Sequence, residues 1–156
     1  MSYIIIAPHA DDEIIGCYEL LTKKNKDIKT VLFPSQQAID EASLSSQIMK
    51  FDRGHTDYLN TIVTNSDTLV FPDPNYELHP EHRKWGQIGE QYARSGYKVI
   101  FYITNMLAPY IHEVEFSFVK KEILDRAYFE KQKLWLYDHK YFLFEGYTNW
   151  ILSWND

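Results

Sequence analysis

One imidazole and three carboxylates crowd into the segment Pro8-His9-Ala10-Asp11-Asp12-Glu13. Like charges this close repel, so the cluster is not there for stability alone, and a bound cation would relieve the repulsion. A borderline metal such as zinc accepts both imidazole nitrogen and carboxylate oxygen. About 70 residues later stands the only other dense histidine cluster, His79-Pro80-Glu81-His82. Each cluster spaces two candidate ligands three residues apart, His9 with Asp12 and His79 with His82. Three protein ligands and a fourth position open to water form the pattern of catalytic zinc. The remaining acids and histidines suffice to move protons. Together the clusters point to a divalent-metal hydrolase.

The elements around them follow from hydrophobic period. Residues 2–7 read as a buried strand and residues 12–23 as a helix, with Ile14, Ile15, Tyr18 and Leu21 on one face. The acids fall in its first turn, where the helix dipole favours them. A second strand is expected over 28–33, a weaker helix over 39–51, and short strands over 61–63 and 68–71 about a turn at 65–67. Residues 72–78 read as a loop, after which Pro80 opens a helix whose apolar face is Trp85, Ile88 and Tyr92. A buried strand over 99–103, a half-exposed strand over 112–118 and a long helix over 119–136 complete the pattern. The last 17 residues are aromatic and without a clear period. Alternating strands and helices imply one α/β domain over residues 1–156 with a mainly parallel sheet. Ligands in such sheets bind beyond the carboxyl ends of the strands. The turn after the first strand and the loop before His79 are expected to converge there.

Composition narrows the classes. A chain of 156 residues can bury about two-thirds of its unfolded surface, enough for a core without disulfides. A formal charge of −6 argues against a general nucleic-acid binder, which needs clustered Lys and Arg. Cys17 is alone and cannot form an intramolecular disulfide; it reads as a small core residue. No apolar run approaches the roughly 18 residues of a membrane span, and Met1-Ser2-Tyr3 enters a strand without a basic, signal-like start. A cytoplasmic protein is the expectation. Aromatics are high at 16%, and the rings are expected in the core or a self-association surface more than on a sugar platform, which leaves room for a homo-oligomer. His55, His112 and His139 read as structural or surface residues, and Gly16 as a point of close helix–sheet packing.

Pro8-His9-Ala10-Asp11-Asp12-Glu13 with Gly16 resembles the first motif of the family of N-acetylglucosaminyl-phosphatidylinositol de-N-acetylase and LmbE-like proteins. His79-Pro80-Glu81-His82 resembles its second motif, His-Pro-Asp-His. The match is firm over residues 2–17 and 79–83 and extends loosely to about residue 136. The resemblance implies a Rossmann-like three-layer fold with the metal site at the carboxyl ends of the strands. It implies zinc-dependent deacetylation of an N-acetylated sugar or small glycoconjugate. His9, Asp12 and His82 would be the zinc ligands and Asp11 the general base. His79 would be the second catalytic group, acting on the oxyanion or the leaving nitrogen, and Glu13 would support the site from behind.

The chain also departs from the family. Glu81 stands where the family has an Asp that orients the neighbouring His79. Pro34-Ser35-Gln36-Gln37-Ala38 and a helix without Arg replace a Gly- and Glu-containing loop and an Arg-bearing helix; Arg53 comes late. Residues 131–139 resemble the start of a late family motif, but His139-Lys140 replaces its Ser-Gln. These departures keep open a carbohydrate-binding or regulatory protein that retained the fold without catalysis. The Asp and His clusters also leave open a metal phosphohydrolase.

Overall fold

The computed structural model describes residues 2–129, 131 and 141–148. Its frame is a five-stranded, all-parallel sheet built from β1 (Ser2–Ile6), β2 (Ile28–Phe33), β3 (Arg53–His55), β4 (Asp67–Pro72) and β5 (Lys98–Tyr102), in the order β3-β2-β1-β4-β5. Alternation along β1 supplies two cores. Tyr3 and Ile5 face one side, with α1 (Asp12–Lys23), α2 (Gln36–Glu41), α3 (Ser43–Met49) and α6 (Ser117–Ala127). Ile4 and Ile6 face the other, where α4 (Leu59–Ile62) and α5 (Pro80–Arg94) lay Leu59, Trp85, Ile88 and Tyr92 against Leu69 and Phe71. The expected three-layer α/β fold with strand-parallel order is therefore the fold found, and Trp85 and Tyr92 are core residues.

The strand order places the site. Neighbours β1 and β4 send their chains in opposite directions across the sheet, so a crevice opens between the loops that follow them. The loop after β1 carries His9 and Asp11, and the loop after β4 runs through Glu77 to His79. Close packing fixes both helices that leave this crevice. A Cβ on Gly16 of α1 would lie 2.3 Å from the Tyr102 ring, and one on Gly86 of α5 would lie 2.5 Å from Pro72 O.

Several local expectations are corrected. The strand expected over 61–63 is the end of α4 and the residue after it, because a helical turn lets Leu59 and Ile62 reach one core together while Lys29 Nζ donates to Ile62 O at 2.6 Å. β3, which lacks an apolar period, was not anticipated; it exists because Gly54 lets the chain pass close to Leu32. The helix expected over 39–51 is two helices and begins at Gln36, capped by Ser35 Oγ accepting from Ala38 N at 3.1 Å. Of the strand expected over 112–118 only β6 (His112–Glu113) forms, paired antiparallel with β7 (Phe144–Glu145), and α6 starts at Ser117. Within the helix expected over 119–136, α6 ends at Ala127, Tyr128 turns out of helical geometry, and residues 129 and 131 are helical again; residues 130 and 132–136 lie outside the described residues, as does His139. Among the irregular last residues, 146–148 run along the outer edge of β5: Ile103 N donates to Gly146 O at 3.1 Å and Thr148 N to Phe101 O at 2.8 Å.

Candidate metal centre

The β1–α1 turn is built around a backbone conformation that side-chain-bearing residues avoid. Asp11 has φ 117° and ψ −25°, a geometry that costs about 1–3 kcal/mol and must be held by its surroundings. The peptide entering it is gripped at both ends. Lys131 Nζ donates to Ala10 O at 2.5 Å, and Asp11 N donates to Glu13 Oε1 at 2.9 Å. Glu13 is fully buried; its other oxygen accepts from Ser45 Oγ at 2.6 Å and from Tyr128 OH. Burial pushes the Glu13 carboxyl above its usual range. Glu13 thus holds the turn from inside the core.

The turn delivers His9 and Asp12, and the first turn of α5 delivers His82. Asp12 Oδ2 lies 3.0 Å from His82 Nε2 and 3.4 Å from His9 Nδ1, and the two imidazole nitrogens are 3.3 Å apart. Donors bound at about 2.0–2.1 Å to one tetrahedral zinc are separated by about 3.3 Å. The three side chains therefore have the mutual spacing and the donor chemistry of one zinc site, and they form a group able to hold a metal ion. Asp12 and His82 are buried while His9 is half-buried, so the group is open on one side.

Burial opposes charge on both buried side chains, Asp12 and His82, and their mutual attraction overcomes it. The Asp12 carboxyl is held below its usual range by His82. The imidazole of His82 is pushed up to about 10 by the carboxylates of Asp12 and Glu77. Glu77 was not anticipated from the sequence. It is 3% exposed, and its Oε1 lies 3.1 Å from His82 Nδ1. Thr104 N, Thr104 Oγ1 and Asn105 Nδ2 also donate to its oxygens, at 3.1, 2.8 and 3.0 Å. A carboxylate behind a ligand imidazole fixes its tautomer and raises its basicity.

Asp11 and His79 flank this group. Asp11 occupies the N-cap position of α1, yet its side chain makes no capping hydrogen bond. Burial and the neighbouring Asp12 charge raise its carboxyl well above the usual range. The ring of His79 lies with its centroid 4.9 Å from that of His9 and 5.2 Å from that of His82. His79 Nδ1 accepts from Glu81 N at 3.1 Å, which leaves the neutral ring its proton on Nε2. Burial and the two neighbouring imidazoles lower its pKa. The Glu81 carboxylate, which stands where the family has Asp, places Oε2 3.6 Å from His9 Nε2. Arg53 donates to Ile39 O and is no part of this group. His55 caps a turn by accepting from Asp57 N, and His112 faces Glu19.

No protein-family model matches the chain, and no curated protein matches it by sequence. Solved structures do share its fold. The conserved protein TT1542 from Thermus thermophilus superposes with a TM-score of 0.57 at 14% identity, over 81% of this chain and 76% of that one. The N,N'-diacetylchitobiose deacetylase from Pyrococcus horikoshii, solved with its inhibitor MPG, superposes with a TM-score of 0.52 at 16% identity, over 81% of this chain and 69% of that one. The likeness is one of fold: this chain shares the α/β architecture of those two proteins and carries a His-Asp-His group able to hold a metal. No helix among the described residues is long and apolar enough to cross a membrane.

Proposed function

We propose that this protein is a zinc-dependent hydrolase that removes the acetyl group from an N-acetylated sugar or small glycoconjugate. The observation that carries the reading is the 3.0–3.4 Å spacing of His9 Nδ1, Asp12 Oδ2 and His82 Nε2, set in a fold shared with a diacetylchitobiose deacetylase. A zinc ion held there would lower the pKa of a bound water to about 7 and polarise an amide carbonyl. The Asp11 carboxylate is free of capping duty and adjacent, so it takes the proton of the attacking water. His79 presents Nε2–H on the exposed side, where it donates a hydrogen bond to the developing oxyanion, and the proton that Asp11 took from the water passes on to the departing amine. Glu77 holds His82 in place, and Glu13 holds the backbone of Asp11.

The test is metal content after purification without added metal, followed by acetate release from a panel of N-acetyl sugars. The expected result is about one zinc per chain, absent in His82→Ala, with turnover by the zinc-loaded protein. A chain that neither carries nor takes up zinc overturns the reading. Bound zinc without turnover of any N-acetyl sugar would move it to a carbohydrate-binding protein on the same fold.

A further inference from the structure

Helix α1 is broken in its middle, and what fills the break comes from the far end of the chain. Cys17 has φ −130° and ψ 21°, outside helical geometry. An unbroken helix pairs the carbonyl of residue 15 with the N–H of residue 19. Here each of those groups takes a side-chain partner from outside. Lys120 Nζ on α6 donates to Ile15 O at 2.7 Å, and Glu19 N donates to Glu145 Oε1 at 3.1 Å. Lys120 Nζ and Glu145 Oε2 are themselves joined at 2.8 Å, and Tyr147 OH donates to Glu145 Oε1 at 2.5 Å. Both charged side chains have no solvent exposure.

A fully buried ion pair is a poor way to gain stability, because desolvation consumes most of the attraction. Its geometric effect is the more informative. The pair acts as a splint across the break, and the piece of α1 ahead of the break carries Asp12 and Glu13. That piece is pressed so close to Tyr102 at Gly16 that it has no slack, and Tyr102 OH is anchored on Ile6 O at 2.7 Å. We propose that Lys120 and Glu145 are positioning residues for the metal centre: by replacing the helical link across Cys17 they set the angle at which Asp12 meets His9 and His82. The inference rests on the metal reading above.

The test is zinc affinity, measured by chelator competition, beside the melting temperature of the metal-free protein. The variants are Lys120→Met/Glu145→Met, which replaces the pair by apolar side chains of similar length, and Glu145→Gln, which keeps the shape. The double variant is expected to fold with a lower melting temperature: apolar replacement of a buried pair is often neutral, but Ile15 O and Glu19 N lose their side-chain partners. It is expected to bind zinc about 10-fold or more weakly, in the range seen when support behind a metal ligand is lost. Unchanged zinc affinity in a folded double variant overturns the proposal and leaves the metal reading standing. A wild-type chain without zinc affinity overturns both. If the double variant fails to fold, Glu145→Gln decides by the same comparison: weaker zinc binding at a near-native melting temperature supports positioning, and unchanged affinity refutes it.

Discussion

Glu77→Gln is the sharpest perturbation of the site that leaves every proposed ligand in place. Four donors converge on the Glu77 carboxylate: His82 Nδ1, Thr104 N, Thr104 Oγ1 and Asn105 Nδ2. The amide of Gln has the same shape but one acceptor oxygen. If that oxygen stays with His82, the new NH2 faces Asn105 Nδ2, which cannot turn away because its own Oδ1 accepts from Leu107 N at 2.8 Å and its Nδ2 donates to Tyr76 O. One buried donor then goes unpaired, at a cost of about 1–3 kcal/mol of stability. The loss at the metal is separate. His82 keeps a hydrogen bond but loses the charge behind it, and the removal of such a partner weakens metal binding by about 10–100-fold, or about 1.4–2.7 kcal/mol. Competition against a chelator of known affinity reads the second effect, and thermal unfolding of the metal-free protein reads the first. Wild-type zinc affinity in Glu77→Gln would refute the role assigned to this residue, whatever happens to the melting temperature.

Asp11→Asn is expected to leave zinc content intact and to lower turnover by about 10²–10⁴-fold, the usual worth of a general base; full acetate release by the variant would show that the base is another group. In the metal-free protein His82, raised to about 10, is protonated at neutral pH, so the support it draws from Asp12 and Glu77 is complete below about pH 6.5 and lost as pH rises through about 10. Zinc uptake at pH 7 should therefore release about one proton from His82, seen as a binding heat that varies with the ionisation enthalpy of the buffer; a buffer-independent heat would contradict it. Gly16→Ala forces a Cβ into the Tyr102 ring, at 2.3 Å in the present backbone, and is expected to cost about 1–3 kcal/mol, read as a lower melting temperature. An unchanged melting temperature would show that α1 has room to shift.

The two clusters were legible because their members are polar residues of distinctive type at short spacing beside strongly apolar strands, while the choice of His9, Asp12 and His82 among them came from the family resemblance. β1, β2, β4 and β5 are each bounded by unmistakable runs of Ile, Val, Leu and Phe, and once their parallel order is inferred the two clusters have to meet. Glu77 was hidden for the opposite reason. A single acid in a loop is ordinarily solvated, and only the fold reveals that Thr104 and Asn105, about 27 residues on, close over it. Ser45 and Tyr128 gave no signal either, since nothing in a lone hydroxyl announces a partner 32 or 115 residues away. β3 was missed because an edge strand of Arg-Gly-His buries too little to need a period. The run at 61–63 misled because β-branched residues favour strands only while nothing larger is gained by a helical turn. The helix expected to run on past residue 127 is interrupted at Tyr128, whose side chain is drawn inward to Glu13.

The splint across α1 also orders events in time. The interactions that finish this helix span 105 residues from Ile15 to Lys120 and 126 from Glu19 to Glu145, whereas the two imidazole ligands are only 73 apart. Local turns and helices close within microseconds, but contacts of such separation wait on the whole chain and dominate the folding rate. A growing chain on the ribosome thus holds both histidine clusters well before it can complete the helix that aims Asp12. On the metal reading proposed above, tight capture waits until Lys120 and Glu145 have closed on α1, and earlier intermediates with the same side chains in hand would exchange metal freely.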